Sequence, residues 1–521
     1  MNLKKISATF FQILLATLVL FLIFEGVFRF VGTPGARRFV EKVVVREKLT
    51  RWKPKDEVRI FAFGESTMHG AQYGPASNPA RWLEVYLKDF LPGKKIRVVN
   101  FSRLGGSSEF ALSAFKNTVY YKPDVAIFYK GHNLFLPKCH KRDVLAEKST
   151  LGFRFNRLLR QSYFIASVMR WGTAVQMRLT KDRPDEAQMG THSIETSLPT
   201  GIPLKAFRRD DPYYQENIEY FKENILKIGE LAALKKIHVL FFKPVSNLKD
   251  FPPGESYHSK NLTPENRARW EKAYQEGRYL EAYRIDPEYA ELAFRLGEVY
   301  FKKGDYPRGK RFFRAARDWD ALAIRAPKEI PAFLEELRKE RGWVVVDTEK
   351  VLTPKVQGGI LGSPVVEDNV HLSVEGHSLV GRLATEEIAD QNWIAPKKEW
   401  HFGAERPFDA IAQELGVNRA FLVEGHLKVA GYLGTRFEAR GRAARRALHL
   451  DPENPRALRH LAWSYWMRGE RGKAIPVYQK LKRVDPGALK GILDDQADIR
   501  SVFLQHRLSE DWISRGKGKL G

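Results

Sequence analysis

A serine set between small residues at the end of an apolar segment is the first group in this chain able to do covalent chemistry. Val58–Phe63 runs into Gly64-Glu65-Ser66-Thr67-Met68-His69-Gly70, which puts Ser66 at the end of an expected buried strand and the start of a helix, where open α/β sheets place their ligands. Gly-Glu-Ser-Thr is also an ordinary helix cap, so the stretch alone decides nothing. A nucleophilic serine needs a base, and Glu367-Asp368-Asn369-Val370-His371 supplies one. Asp368 and His371 stand three apart just before a helix, so the carboxylate can hold the imidazole ring while His371 takes the proton from Ser66. Acyl transfer further needs donors for the oxyanion that forms. Gly105, following Asn100-Phe-Ser-Arg-Leu, can offer a backbone N–H with no side chain in the way; Asn133 can offer its amide, and Ser66 its own N–H.

These groups must be held by a frame, and the periodicity describes one. Strands are expected at Val58–Phe63, Ile96–Asn100, Asp124–Tyr129, His238–Phe242 and Trp343–Asp347, with helices at Ala80–Phe90 and from Glu109 to about Tyr121. Strand and helix in this alternation argue a parallel sheet wound with helices. Residues 32–57 read as a polar, basic tether. Residues 137–235 are mostly helical and basic, the first part an insertion over the sheet and the last an amphipathic helix, Tyr213–Leu234. Between the fourth and fifth strands, Ala293, Leu296, Gly297, Tyr300, Gly304, Tyr306, Phe313 and Ala316 follow tetratricopeptide spacing, with a shorter unit before them marked by Trp270, Gly277, Tyr279, Ala282 and Pro287. The pattern returns near the C-terminus as one 34-residue period from Pro452 to Pro486, preceded by a looser unit. The expected domains are an anchor at 1–33, a tether at 34–57, an α/β domain at 58–260 and 326–395 split by repeats at 261–325, further repeats at 408–493, and a basic tail at 494–521.

Composition narrows the class. With 521 residues and 43% apolar content the chain can build large cores. Its 87 Lys and Arg against 62 Asp and Glu give a formal charge of +25, scattered along the sequence. That pattern reads first as a solvated surface and second as attraction to an anionic membrane or polymer; no nucleic-acid motif accompanies it. The single cysteine, Cys139, excludes an intramolecular disulfide and a Cys-rich metal site, and is expected to be a packing residue. Lys4 and Lys5 precede an apolar run from Phe10 to Val31, about 33 Å long as a helix and enough to cross a bilayer. It reads as a single-pass signal anchor that exports everything after Thr33, although Arg37 and Arg38 on the far side oppose that orientation. His69, His132 and His377 show no i, i+4 spacing for a metal, and structural roles are expected for them.

The blocks Gly64-Glu65-Ser66, Gly105, Gly131-His132-Asn133 and Asp368-x-x-His371, in this order, resemble the SGNH hydrolases, also called GDSL esterases. The resemblance implies a flavodoxin-like three-layer α/β/α fold, Ser66 as nucleophile, Asp368 and His371 completing the triad, and Ser66, Gly105 and Asn133 as oxyanion hole, with no metal or organic cofactor. It is similar, more closely, to a bacterial branch in which the domain is interrupted and followed by tetratricopeptide repeats behind an anchor. Gly-His-Asn133, Ser246-Asn-Leu-Lys-Asp-Phe-Pro-Pro253 and Val370-His-Leu-Ser-Val-Glu-Gly-His377 carry that likeness over residues 58–390. The expected function is an extracytoplasmic serine esterase on the bacterial inner membrane, facing the periplasm. It would act on acyl, for instance acetyl, esters of a cell-envelope carbohydrate or lipid, with the repeats open to a protein partner and His132 and Asn247 toward substrate. An O-acyltransferase and a decayed module serving as an assembly scaffold are the alternatives. Two positions depart from the family: Glu65 stands where Asp is usual, and Leu134 follows Asn133 where the family has Asp.

Overall fold

The computed structural model describes residues 34–136, 206–434 and 436–488. The apolar run Phe10–Val31, the insertion at 137–205 with Cys139, and the basic tail lie outside the described residues. Among the described residues no helix is long and apolar enough to cross a membrane.

The frame begins with α1 (Pro34–Arg46), β1 (Glu57–Gly64), a one-turn α2 (Ser66–His69), α3 (Pro79–Phe90), β2 (Lys95–Asn100), α4 (Ser108–Thr118) and β3 (Val125–Tyr129). It continues with α5 (Pro212–Lys235) and β4 (His238–Phe242). The helices α6 (Pro264–Gln275), α7 (Tyr279–Ile285), α8 (Ala290–Lys302), α9 (Tyr306–Trp319) and α10 (Glu329–Arg341) then lead to β5 (Val344–Val346). After α11 (Val374–Asp390) the described chain ends in α12 (Arg419–Tyr432), α13 (Phe437–Leu450), α14 (Pro455–Met467) and α15 (Arg471–Val484).

The five strands form one sheet in the order β2-β1-β3-β4-β5, every pair parallel. Successive strand residues point to opposite faces, and both faces are apolar, as a sheet covered on both sides requires. Ile60 and Ala62 of β1 look toward α3 and α11, packing with Trp82, Leu87, Val380 and Ile388. Phe61 and Phe63 look the other way, toward Phe115 of α4, Phe221 of α5 and Leu334 of α10. The result is a three-layer α/β/α sandwich with the strand order of flavodoxin-like folds, whose ligands sit where that order reverses, between β1 and β3. Both strands end here in the motifs singled out for chemistry.

Residues 34–57 are not a tether. Ala36, Val40, Val43 and Val44, spaced i, i+4, i+7, i+8, are buried against α4, and exposed Arg37 and Lys42 lie off that stripe; the basic composition hid an amphipathic helix. The buried guanidinium of Arg59 then fixes the link to β1. It pairs with Glu57 at 2.6 Å and donates to the carbonyls of Thr50, Trp52 and Tyr121. The ring of Phe39 meets Phe110 at the start of α4, 5.3 Å between centroids. So α1 runs alongside α4, its N-terminal half level with the C-terminal ends of the strands.

The segment between β4 and β5 folds as two helical hairpins, α6–α7 and α8–α9. Gly297 is needed where α8 and α9 touch, since a Cβ there would stand 2.6 Å from the Phe313 ring. Ala293, Phe313 and Ala316 share a core with Leu248 and Ile360, which docks α8–α9 on loops of the α/β unit. At the C-terminus Leu458, Ala462, Ala474, Tyr478 and Leu481 form the core of the α14–α15 hairpin.

Candidate active site

Ser66 opens α2 directly beyond β1, half-buried, at the mouth of the β1–β3 crevice. One glycine shapes the end of each of these two strands. A Cβ on Gly64 would lie 2.3 Å from Met68 Cβ, so only glycine lets the first turn of α2 fold back on the strand end. Gly131, at φ 138°, takes a conformation that side chains disfavour, and a Cβ there would strike Ile330 Cγ2 at 2.8 Å.

The other blocks converge on this turn through direct hydrogen bonds. Arg103 N–H, on the loop carrying Gly105, donates to Gly64 O at 3.4 Å. Thr67 Oγ1 donates to Val370 O at 3.3 Å, joining the residue after the candidate nucleophile to the residue before His371. Gln72, three residues past α2, donates from Nε2 to Asp368 Oδ2 at 3.0 Å. Asn133 Nδ2 reaches Gly106 O at 3.4 Å, so its amide lies against the Gly105 loop. Ser66, Gly105, Asn133, Asp368 and His371 are therefore gathered at one end of the sheet from four separate stretches.

Within the pair, His371 Nδ1 stands 2.7 Å from Asp368 Oδ2. An ionised carboxylate only accepts, so the proton belongs on Nδ1 and the Nε2 lone pair is free to act as base. His371 Nε2 is buried and has no hydrogen-bond partner; the ring is not bonded to Ser66 Oγ, a looseness common before substrate binds. Asp368 is fully buried. Burial pushes its carboxyl up, but the neighbouring His371 and the N–H groups of His371 and Val370 hold it below the usual carboxylate range.

Glu65, the position that departs from the family pattern, has a defined task. Its buried carboxylate accepts the N–H groups of Gly131 (3.1 Å) and His132 (2.9 Å) and lies 3.3 Å from the ammonium of Lys130. Lys130 in turn donates to Gly106 O at 2.8 Å. One buried acid thus fixes the turn that presents Asn133, and the longer glutamate arm serves as a cap from the β1 side. Nothing in the sequence flagged Gln72 or Lys130, because their partners lie tens to hundreds of residues away.

The remaining candidates divide. His132 is buried beside the pair; Ala326 N–H donates to its Nδ1 at 3.2 Å, and its Nε2 has no partner. Asn247 has its amide engaged inside the protein, Nδ2 to Val366 O and Oδ1 from Asp250 N–H. His377 Nδ1 meets Ser77 Oγ at 3.3 Å within the core. No group of three or more His, Cys, Asp or Glu among the described residues is placed to hold a metal ion.

Burial lowers His132 to about 4 and His377 to about 3, from an ordinary 6.5. The unfolded chain therefore binds more protons than the native state as pH drops below 6.5, and stability falls with it. At pH 5 each histidine is expected to cost about 2 kcal/mol relative to neutral pH. Urea unfolding at pH 7.5 and pH 5 should show the loss, and His377→Asn should flatten it; equal stability at the two pH values would contradict the burial.

Fold and site together make an α/β/α sandwich that gathers Ser66, Asp368 and His371 at the point where its strand order reverses. Neither a protein-family model nor a curated protein matches the sequence. Among solved structures the chain is similar to a GDSL-like lipase from Bacteroides thetaiotaomicron, at 13% identity over 68% of this chain and 98% of that one, TM-score 0.31. It is also similar to a lipase/acylhydrolase from Enterococcus faecalis, at 13% over 67% and 100%, TM-score 0.29. A catalytic mutant of an acetylxylan esterase from Geobacillus stearothermophilus matches at 10% over 65% and 96%, TM-score 0.29.

Proposed function

We propose that this protein is a serine esterase that forms an acyl-enzyme on Ser66. The observation that carries the reading is the Asp368–His371 pair, whose Nε2 is buried and unbonded on a loop hydrogen-bonded to the first turn of the serine helix. Ser66 Oγ attacks the ester carbonyl as its proton passes to His371 Nε2. The oxyanion is held by the N–H groups of Ser66 and Gly105 and the amide of Asn133. His371 then protonates the leaving alcohol, and the same base activates the water that releases the acid.

A short acyl group, acetyl above all, suits the space beside Asn133. Ser107, Ser108, Leu134 and Phe221 help line a cavity of about 10 Å³ there, room for one water-sized group. The proposed substrates are acetyl esters of a cell-envelope carbohydrate or lipid. With p-nitrophenyl esters, kcat/KM should fall at least tenfold from acetate to octanoate; an enzyme favouring octanoate would sink the acetyl assignment.

Transfer to another hydroxyl is the second reading. His371 is 5% exposed and Asn133 8%. A site with so little room for water would leave an acyl-enzyme waiting for an acceptor alcohol. Acyl transfer to added methyl glucoside, measured against hydrolysis, separates the two.

The location proposed is a membrane, with the chain held by Phe10–Val31 and the α/β unit outside the cytoplasm; tetratricopeptide repeats are the proposed identity of the helical hairpins. Support for the location comes from Lys4, Lys5 and the length of the apolar run. Fractionation of cells expressing the full chain, with protease added to spheroplasts, tests it.

A further inference from the structure

We propose that the hairpin α12–α13 is part of the catalytic site, with Arg446 a positioning residue that holds the Asp368–His371 loop through Glu367. The proposal rests on the serine-esterase reading of that loop.

Glu367 directly precedes Asp368 and is 7% exposed. Three elements converge on its carboxylate. Tyr73, from the segment that follows the serine helix, donates its hydroxyl to Oε2 at 2.7 Å. Arg446 of α13 donates from Nη1 to Oε1 at 3.1 Å. His426 of α12 brings Nδ1 to 3.4 Å from Oε1, without hydrogen-bond alignment. A single buried acid therefore ties the serine segment, the Asp-His loop and the C-terminal hairpin together.

Independent contacts seat the hairpin in the same place. The Tyr432 ring at the end of α12 meets the His371 ring edge to face, 5.4 Å between centroids and 66° apart. The backbone of α12 lies against the Tyr73 ring at Gly425, where a Cβ would come within 2.2 Å of Tyr73 Cε1. Arg436 and Arg442 donate to the carbonyls of Pro252 and Asp250, both at 2.7 Å, on the loop after β4. The hairpin is thus fixed at three points around the catalytic loop, and one of its rings covers the base.

The energetic consequence follows from the burial of Glu367. Burial pushes its carboxyl up, and His426, Arg446 and Tyr73 together hold it below the usual range, so it is an anion inside the protein. Removing its cation leaves a buried charge that must take a proton or move toward water. Either response displaces the adjacent Asp368. A shift of about 1 Å at a catalytic group can cost about a hundredfold in rate.

The test is the full chain carrying Arg446→Ala, Arg446→Lys or, as a control on the last hairpin, Arg471→Ala. Each is assayed on p-nitrophenyl acetate well below its Tm. Arg446→Ala should lose 10- to 100-fold in kcat with KM within about threefold of wild type. Arg446→Lys should recover most of the loss, and Arg471→Ala should be unchanged. Wild-type kcat in folded Arg446→Ala, whatever its Tm, would overturn the positioning role, as would a loss that Lys does not restore. Should Arg446→Ala fail to fold, Tyr432→Leu gives the second measurement, with kcat reduced if the hairpin belongs to the site and unchanged if it does not. Absence of Ser66-dependent turnover in wild type would instead mark failure of the esterase reading itself.

Discussion

Ser66→Ala is expected to lower kcat/KM for p-nitrophenyl acetate by roughly 10⁴-fold or more, to the level left by oxyanion donors and substrate binding alone. The substitution removes one oxygen at a half-buried position and leaves the frame intact. Gly64 still folds α2 back on β1, Glu65 still caps the Gly131–His132 turn, and Thr67 still reaches Val370. A loss of activity here therefore cannot be charged to unfolding, and thermal stability should stay within about 0.5 kcal/mol of wild type. Hydrolysis at substrate concentrations below KM, with a melting curve on the same sample, provides the comparison. A variant retaining wild-type rate would place the chemistry elsewhere.

Asp368→Asn should cost nearly as much, roughly 10⁴-fold in kcat, by a different route. All four groups around the carboxylate are donors: Val370 and His371 N–H on Oδ1, at 3.0 and 2.8 Å, and Gln72 Nε2 and His371 Nδ1 on Oδ2, at 3.0 and 2.7 Å. An amide offers one oxygen and one NH₂. Whichever way it turns, NH₂ meets donors. If it faces His371, the imidazole relieves the clash by moving its proton to Nε2, and the base that should receive the Ser66 proton is then already protonated. Measured kcat falling with KM little changed would mark this tautomer effect. A loss confined to KM would assign Asp368 to substrate binding.

Much of this site was legible in the sequence because its parts are local. Asp368 and His371 lie within one turn, Ser66 follows directly on its strand, and the unbroken apolar run Ile60, Phe61, Ala62 and Phe63 declares a strand buried on both faces. Parallel pairing then obliges all the strand ends that carry motifs to meet at one edge of the sheet. What stayed hidden depends on contacts across the chain. Glu65 looked like a departure until Lys130 and the Gly131–His132 amides were seen on it. Glu367 looked like a neighbour of Asp368, with no hint that Arg446 and Tyr73, each far from it in sequence, would fix it. The helix α1 was concealed by its own composition, since its valine stripe is narrower than its basic face. Asn247 carried a motif's signature, yet its amide is turned inward to hold the loop after β4.

The central claim is that Ser66 is an activated nucleophile, and covalent labelling addresses it without knowledge of the natural ester. The full chain is treated with a fluorophosphonate, digested, and the adduct located by mass spectrometry, with His371→Ala alongside. The expected result is stoichiometric modification of Ser66 in the wild type and modification slowed at least a hundredfold in the variant. Modification of another residue, or labelling of Ser66 at the same rate without His371, would contradict the assignment.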